Sequence, residues 1–162
     1  LIKITHSYDL IYNWFNIIEG KYRYRIIAYV IMPNHVHVIL YNKAALSSLG
    51  NTISNGKRFI SYEIIKRLDN MNSLPLLTCL GNAVSQRERA KGQLHKVFRD
   101  SFDARAIWSE SFLLQKLEYI HHNPVKGRWN LVDIYTTYEH SSAAFYETGM
   151  AMHFIPTHYK NI

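Results

Sequence analysis

The run Ile26-Ile27-Ala28-Tyr29-Val30-Ile31-Met32-Pro33-Asn34-His35-Val36-His37-Val38-Ile39-Leu40 decides how this chain folds. Residues 22–32 are rich in β-branched and aromatic side chains. Tyr22, Tyr24, Ile26, Ala28 and Val30 alternate there with Arg23, Arg25, Ile27, Tyr29 and Ile31, which predicts a strand. Pro33-Asn34 reads as a turn, and residues 35–41 as the returning strand of a tight hairpin. Alternation then places His35, His37 and Ile39 on one face and Val36, Val38 and Leu40 on the other. Two imidazoles on one face can hold a single metal ion, given neutral ring nitrogens and a third ligand from elsewhere. The plainer alternative is a pair of half-buried strand residues.

Upstream, Asp9 is a candidate cap for a helix with Leu10, Trp14, Ile17 and Ile18 at helical spacing, ended by Gly20. Residues 1–5 read as the tail of a strand. The chain begins with Leu1 rather than Met, so most of that strand is expected to lie before it. Downstream, residues 47–68 predict a helix from about Leu49, with Ile53, Phe59, Ile60, Ile64 and Leu68 as its apolar stripe. Residues 76–91 predict a second helix and residues 95–103 a strand. Ser109 is placed to cap a further helix, which Asn123-Pro124 stops because proline disfavours helical geometry in the residue before it. Residues 125–162 read as irregular and aromatic. With an initial strand the order is β-α-β-β-α-β, the ferredoxin-like α+β arrangement with an antiparallel sheet and helices on one face, followed by one more helix and a tail.

At 162 residues the natural expectation is one domain spanning residues 1–162, lacking part of its N-terminal strand. Lys and Arg outnumber Asp and Glu by 19 to 12, which points to an anionic partner, nucleic acid foremost. Twelve tyrosines beside these cations suit stacking on bases. The single Cys79 excludes an intrachain disulfide framework and a cysteine zinc site, and a reducing cytoplasm fits. No run approaches the ~18 apolar residues of a membrane helix. Lys57, Arg58, Arg87, Arg89, Lys91, Lys126 and Arg128 are the candidate phosphate contacts.

A second motif, Leu117-Glu118-Tyr119-Ile120-His121-His122-Asn123-Pro124-Val125, closes the helix that Ser109 begins. Tyr119 and Asn123 share one helical face if the helix reaches that far. A tyrosine hydroxyl can be a nucleophile, and an amide oxygen one turn away a hard metal ligand. Two histidines, an amide and water suit magnesium or manganese. Tyr119 as a core residue and Asn123 as a helix cap are the plain readings, and His121 and His122 are rival third ligands.

Met32-Pro33-Asn34-His35-Val36-His37 and Tyr119-Ile120-His121-His122-Asn123-Pro124-Val125 together resemble the REP-associated tyrosine transposases, which are single-tyrosine, His-hydrophobic-His DNA-strand transferases. Trp129-Asn130-Leu131-Val132 and Tyr138-Glu139-His140-Ser141-Ser142-Ala143 resemble the segment that follows the tyrosine helix in that family. The resemblance implies a ferredoxin-like fold. It implies His35 and His37 as metal ligands, Asn123 in the place of a polar third ligand, and Tyr119 as the nucleophile. It implies a divalent ion, magnesium or manganese, and cutting and rejoining of single-stranded DNA at hairpin-forming repeats through a 5′-phosphotyrosine. It places the protein at the nucleoid, as a monomer or a homodimer. Two rival functions remain: a metal-dependent nuclease using water, and a non-catalytic hairpin-binding protein.

Overall fold

The computed structural model describes residues 1–43, 45–99 and 102–162. It is an α+β protein whose described residues include a two-stranded antiparallel sheet. The chain divides into two compact units, one of Leu1–Ser48 with Arg105–Ile162, the other of Leu49–Ala104.

In the first unit, α1 (Tyr8–Tyr22) leads into β1 (Arg25–Ile31) and β2 (Val36–Tyr41). The expected hairpin forms: Ile31 lies opposite Val36 and Val30 opposite His37, and the Met32 amide donates to the His35 carbonyl at 2.8 Å across Pro33-Asn34. Simple alternation fails at one point. The register shifts between Ile26 and Ala28, so Arg25 pairs with Tyr41 while Ala28 pairs with Ile39. An extra residue in one strand of a pair is a β-bulge, and it changes the face on which preceding side chains emerge. The Ile26 amide at this bulge donates to the Glu19 carboxylate at 2.9 Å.

β1 is buried on both faces from Ile26 to Ile31. On one side α1 presents Ile11, Phe15 and Ile18, with Phe15 5.3 Å from both the Tyr29 and Phe154 rings. On the other, α5 (Glu110–His121) packs Leu117 and Ile120 over Ala28, Val30 and Ile39. Helices α1 and α5 therefore lie on opposite faces of the hairpin. The outer edge of β1 is covered by the C-terminal segment. Ile31 donates its amide to the His140 carbonyl at 2.8 Å, Ser142 to Tyr29 at 3.0 Å and Thr157 to Ile26 at 2.8 Å. These bonds satisfy an edge that would otherwise be open to pairing.

Several expectations are corrected. Residues 1–5 form no strand but a turn: the Thr5 amide bonds to Leu1, that of Ser7 to Ile2, and the Thr5 hydroxyl also reaches the Leu1 carbonyl. Local bonds have taken the groups a strand would use. Asp9 lies inside α1, and Gly20 does not end it. The helix runs on to Tyr22 and stops at Arg23, whose φ of 61° is left-handed. The C-terminal segment contains a short helix, α6 (Ala143–Thr148).

The second unit begins with α2 (Leu49–Asn70). Its buried stripe is Thr52, Gly56, Ile60, Ile64 and Leu68, at strict four-residue spacing, so Ile53 and Phe59 are not part of it. Phe59 is exposed. The helix expected over residues 76–91 is two helices, α3 (Leu74–Asn82) and α4 (Gln86–Arg89). Ser85 starts the second with a capping box, its hydroxyl accepting from the Glu88 amide while the Glu88 carboxylate accepts from the Ser85 amide. The strand expected over residues 95–103 is irregular wherever it is described. Lys96 donates its amide to the Leu80 carbonyl at 3.0 Å, tying the segment to the end of α3 rather than to a sheet. Asp100 and Ser101 lie outside the described residues. No helix among the described residues is long and apolar enough to cross a membrane.

Two histidines of the first unit, His121 buried and His140 partly so, make its stability sensitive to acid. His121 shares a 2.9 Å hydrogen bond with the Ser142 hydroxyl, and burial and the nearby His122 push it down to about 4. His140 is held at about 4 by burial, with Glu139 opposing and His153 reinforcing the shift. An unfolded histidine titrates near ~6.5. The unfolded chain therefore takes up these protons first, and the stabilisation present above that pH is lost as pH falls towards 4. We expect the urea midpoint to drop between pH 7 and pH 5 by the equivalent of roughly 1–2 kcal/mol for each histidine. The drop should shrink in His140→Gln, and an unchanged midpoint would contradict this account.

Candidate active site

The tight turn and the start of β2 set the first half of the site. His35 immediately precedes the strand and His37 lies on it, and their rings meet edge to face with centroids 4.9 Å apart. Asn34 orients the first of them: its side-chain oxygen lies 2.6 Å from His35 Nδ1. That nitrogen carries the proton, which leaves Nε2 with its lone pair available. Both rings are half-buried. Burial lowers the pKa of each, helped by Arg128 at His35 and by His35 at His37. Both are thereby favoured in the neutral form that a metal requires.

The second half comes from α5. Ser109 caps it as expected, its hydroxyl accepting from the Phe112 amide at 3.2 Å. Leu117 and Ile120 face the core, which turns Tyr119 outward, 52% exposed. Because α5 packs on the face of the hairpin that carries His37, the Tyr119 ring lies edge to face with His37 at 5.5 Å. Lys116, one turn earlier, holds its ammonium 5.7 Å from the Tyr119 ring centroid and 5.0 Å from that of Phe112.

α5 ends at His121, and Asn123 opens a 3-10 turn, Asn123–Val125. The Asn123 amide nitrogen donates to the Tyr119 carbonyl at 2.9 Å, so the residue caps the helix. Its side-chain oxygen makes no hydrogen bond among the described residues, and no bond or ring contact links Asn123 to the histidines. His121 is buried against Ser142, and His122 bonds the Glu118 carbonyl at 3.0 Å and lies 4.2 Å from the Tyr135 ring. Neither rival ligand is near the pair. No group of three or more His, Cys, Asp or Glu side chains among the described residues is placed to hold a metal. A third ligand beside His35 and His37 would be an amide such as Asn123, or water. Two neutral imidazoles, one with its tautomer fixed by an amide, fit an ion that also accepts oxygen ligands.

Sequence reasoning named Arg128 as a phosphate contact but did not place it, with Trp129, beside His35. Trp129 lies 6.0 Å from the His35 ring, and the Arg128 guanidinium sits 5.1 Å from the Trp129 centroid. The chain returns there through Gly127, whose φ is 63°, and the Leu131 amide bonds the Pro124 carbonyl at 2.7 Å. A cation next to an aromatic, just after a glycine turn, was the available signal.

The candidate phosphate contacts differ in availability. Lys126 and Arg128 are exposed in the first unit. In the second, Lys57 donates to the Arg99 carbonyl at 2.8 Å and Arg89 to Gly81 at the end of α3 at 2.6 Å, while Arg58, Arg87 and Lys91 are exposed. No family model, curated protein or solved structure matches the chain.

Proposed function

We propose that this chain is a DNA strand transferase of the kind its motifs resemble, a REP-associated tyrosine transposase acting on single-stranded DNA at hairpin-forming repeats. The observation that carries the reading is Tyr119, half-exposed on α5 with its ring against His37 at 5.5 Å. A nucleophile and two neutral imidazoles on one face can address the same phosphodiester. The finer architecture we infer is ferredoxin-like, with β1 and β2 as two of its strands; the succession α1, β1, β2, α2 supports it.

In the mechanism, Tyr119 Oη attacks phosphorus. The tyrosyl O–P bond forms and the bond to the 3′ oxygen breaks. The phenol loses a proton and the departing 3′ oxygen gains one, so the step consumes neither water nor a nucleotide triphosphate. The phosphotyrosine stores the bond energy, and attack by a 3′-hydroxyl reverses the chemistry on another strand. His35 and His37, with the Asn123 oxygen as the third candidate, would hold a magnesium or manganese ion. Such an ion, when bound, supplies polarisation of the phosphate and stabilisation of the leaving oxygen. Arg128 and Trp129 are placed to hold the strand beside His35, the guanidinium on a phosphate and the indole under a base. Arg58, Arg87, Lys91 and Lys126 add phosphate contacts, and a protein with this activity works at the nucleoid.

The test is incubation with labelled single-stranded hairpin DNA and manganese, followed by a denaturing gel. A labelled species that migrates with the protein and disappears on protease treatment is the expected result. Cut DNA with no such species would favour a water-using nuclease. Retention of uncut DNA on a native gel would favour a hairpin-binding protein.

A further inference from the structure

Lys21-Tyr22-Arg23-Tyr24-Arg25 carries the chain out of α1 and into β1, far from the hairpin turn. Tyr24 is buried, with its hydroxyl donated to the Ser47 carbonyl at 2.9 Å. Arg23 and Arg25, on either side of it, are exposed. The bulge at the start of β1 pairs Arg25 with Tyr41, so their side chains share a face, and Lys43 follows two residues beyond Tyr41. Arg23, Arg25, Tyr41 and Lys43 line one surface cleft, with Glu19 and Thr157 among its walls.

The charge in this cleft is unbalanced. Among the described residues Glu19 is the one side-chain carboxylate on its lining, where it accepts the Ile26 amide at 2.9 Å, and Ile162, which bears the terminal carboxylate, lines it too, so the three cations exceed the carboxylates by one. Among the described residues Arg23, Arg25 and Lys43 have no side-chain hydrogen bond or ion pair. A role in opposing the dipole at the end of α1 accounts for Lys21 and Arg23, but not for Arg25 on the strand or Lys43 beyond it. Gathering an excess of like charges costs stability, and a bound anion recovers it. Two guanidinium forks and an ammonium suit a phosphate, and the Tyr41 ring suits the base or sugar attached to one.

We propose that this cleft is a phosphate-binding site that takes a phosphodiester of a nucleic-acid strand, at the other end of the hairpin from His35 and His37. Tyr41 is four residues along β2 from His37, roughly 13 Å at ~3.3 Å per residue. The site does not require Tyr119 to be a nucleophile. If Tyr119 is one, the cleft holds the same strand away from the point of cleavage.

The experiment measures binding without metal, using the full chain carrying Tyr119→Phe, so that strand cleavage plays no part. The probe is a fluorescent single-stranded oligonucleotide, titrated between about 50 and 200 mM salt; inorganic pyrophosphate is measured in parallel. Combining Arg23→Ala, Arg25→Ala and Lys43→Ala should reduce the salt slope by about 2, at ~0.7 for each phosphate no longer neutralised. Affinity for the strand should fall by tenfold or more, while Arg23→Lys with Arg25→Lys should keep most of the slope. If the triple variant does not fold, Lys43→Ala alone should reduce the slope by ~0.7. An unchanged slope and affinity would overturn the proposal. Loss of pyrophosphate binding with strand binding intact would overturn its assignment to nucleic acid.

Discussion

Tyr119→Phe should abolish the covalent protein–DNA species and slow strand cleavage by about three orders of magnitude or more, the scale on which removing a nucleophile acts. The substitution deletes one oxygen and leaves everything else on α5 in place. The ring keeps its edge against His37 and its position beside the Lys116 ammonium. The hydroxyl has no hydrogen bond among the described residues and the side chain is 52% exposed, so the fold should be unaffected to within about 0.5 kcal/mol. DNA binding should likewise survive. The measurement is single-turnover cleavage of labelled hairpin DNA beside a urea denaturation. Cleavage at the wild-type rate in Tyr119→Phe would make the tyrosine structural and leave water as the nucleophile.

His37→Ala should remove manganese binding and lower cleavage by more than about 100-fold. Among the described residues His37 is the one in ring contact with both the other histidine and the tyrosine. Loss of a ligand should exceed the roughly 10–100-fold cost in metal affinity of losing a partner that only orients one. Asn34→Ala falls into that smaller class, since Asn34 fixes the tautomer of His35 through a 2.6 Å hydrogen bond. The readout is manganese affinity by titration calorimetry, paired with cleavage. The pH dependence has a defined sign: burial lowers both histidines, so protons compete for them only below the ordinary imidazole range. Manganese affinity should persist at a pH where an exposed histidine pair has lost it. If His37→Ala bound manganese as tightly as the parent chain, the two histidines would not be ligands.

The parts of the fold that sequence made legible are those decided by local chemistry. Pro33-Asn34 between two alternating apolar runs could only be read as a turn, and the hairpin forms there. Ser109 announces α5 because its hydroxyl satisfies the amide three residues on. Asn123-Pro124 ends that helix for steric reasons. What escaped depends on partners distant in sequence or on competing local signals. The bulge at the start of β1 is held by Glu19 from α1 and Thr157 from the tail, which alternation alone cannot foresee. Gly20 is a weak reason to end a helix whose burial of Ile11, Phe15 and Ile18 continues to favour it. Thr52 and Gly56 are buried on α2 where Ile53 and Phe59 looked more apolar, because four-residue spacing outweighed hydropathy. Ser85 was the missed signal, since its capping box with Glu88 divides one expected helix into two.

The site was more legible than the sheet around it. His35, His37 and Tyr119 lie together, a juxtaposition that only the family resemblance implied; the packing face of α5 and the parity of β2, both written in apolar periodicity, account for it. The helix stops at His121, short of Asn123, whose side chain bonds back to the Tyr119 carbonyl in the capping role that was its plain reading. His121 could not be separated from His122 by position alone. Their environments separate them, Ser142 for one and Tyr135 for the other.

The most direct test of the central claim is to find where DNA becomes attached. The chain is incubated with single-stranded hairpin DNA and manganese, denatured, treated with nuclease and protease, and its peptides are sequenced by mass spectrometry. The account predicts one peptide carrying a 5′-linked nucleotide, with the phosphate on Tyr119. A nucleotide on any other residue, or cut DNA ends with no peptide attached, would contradict it.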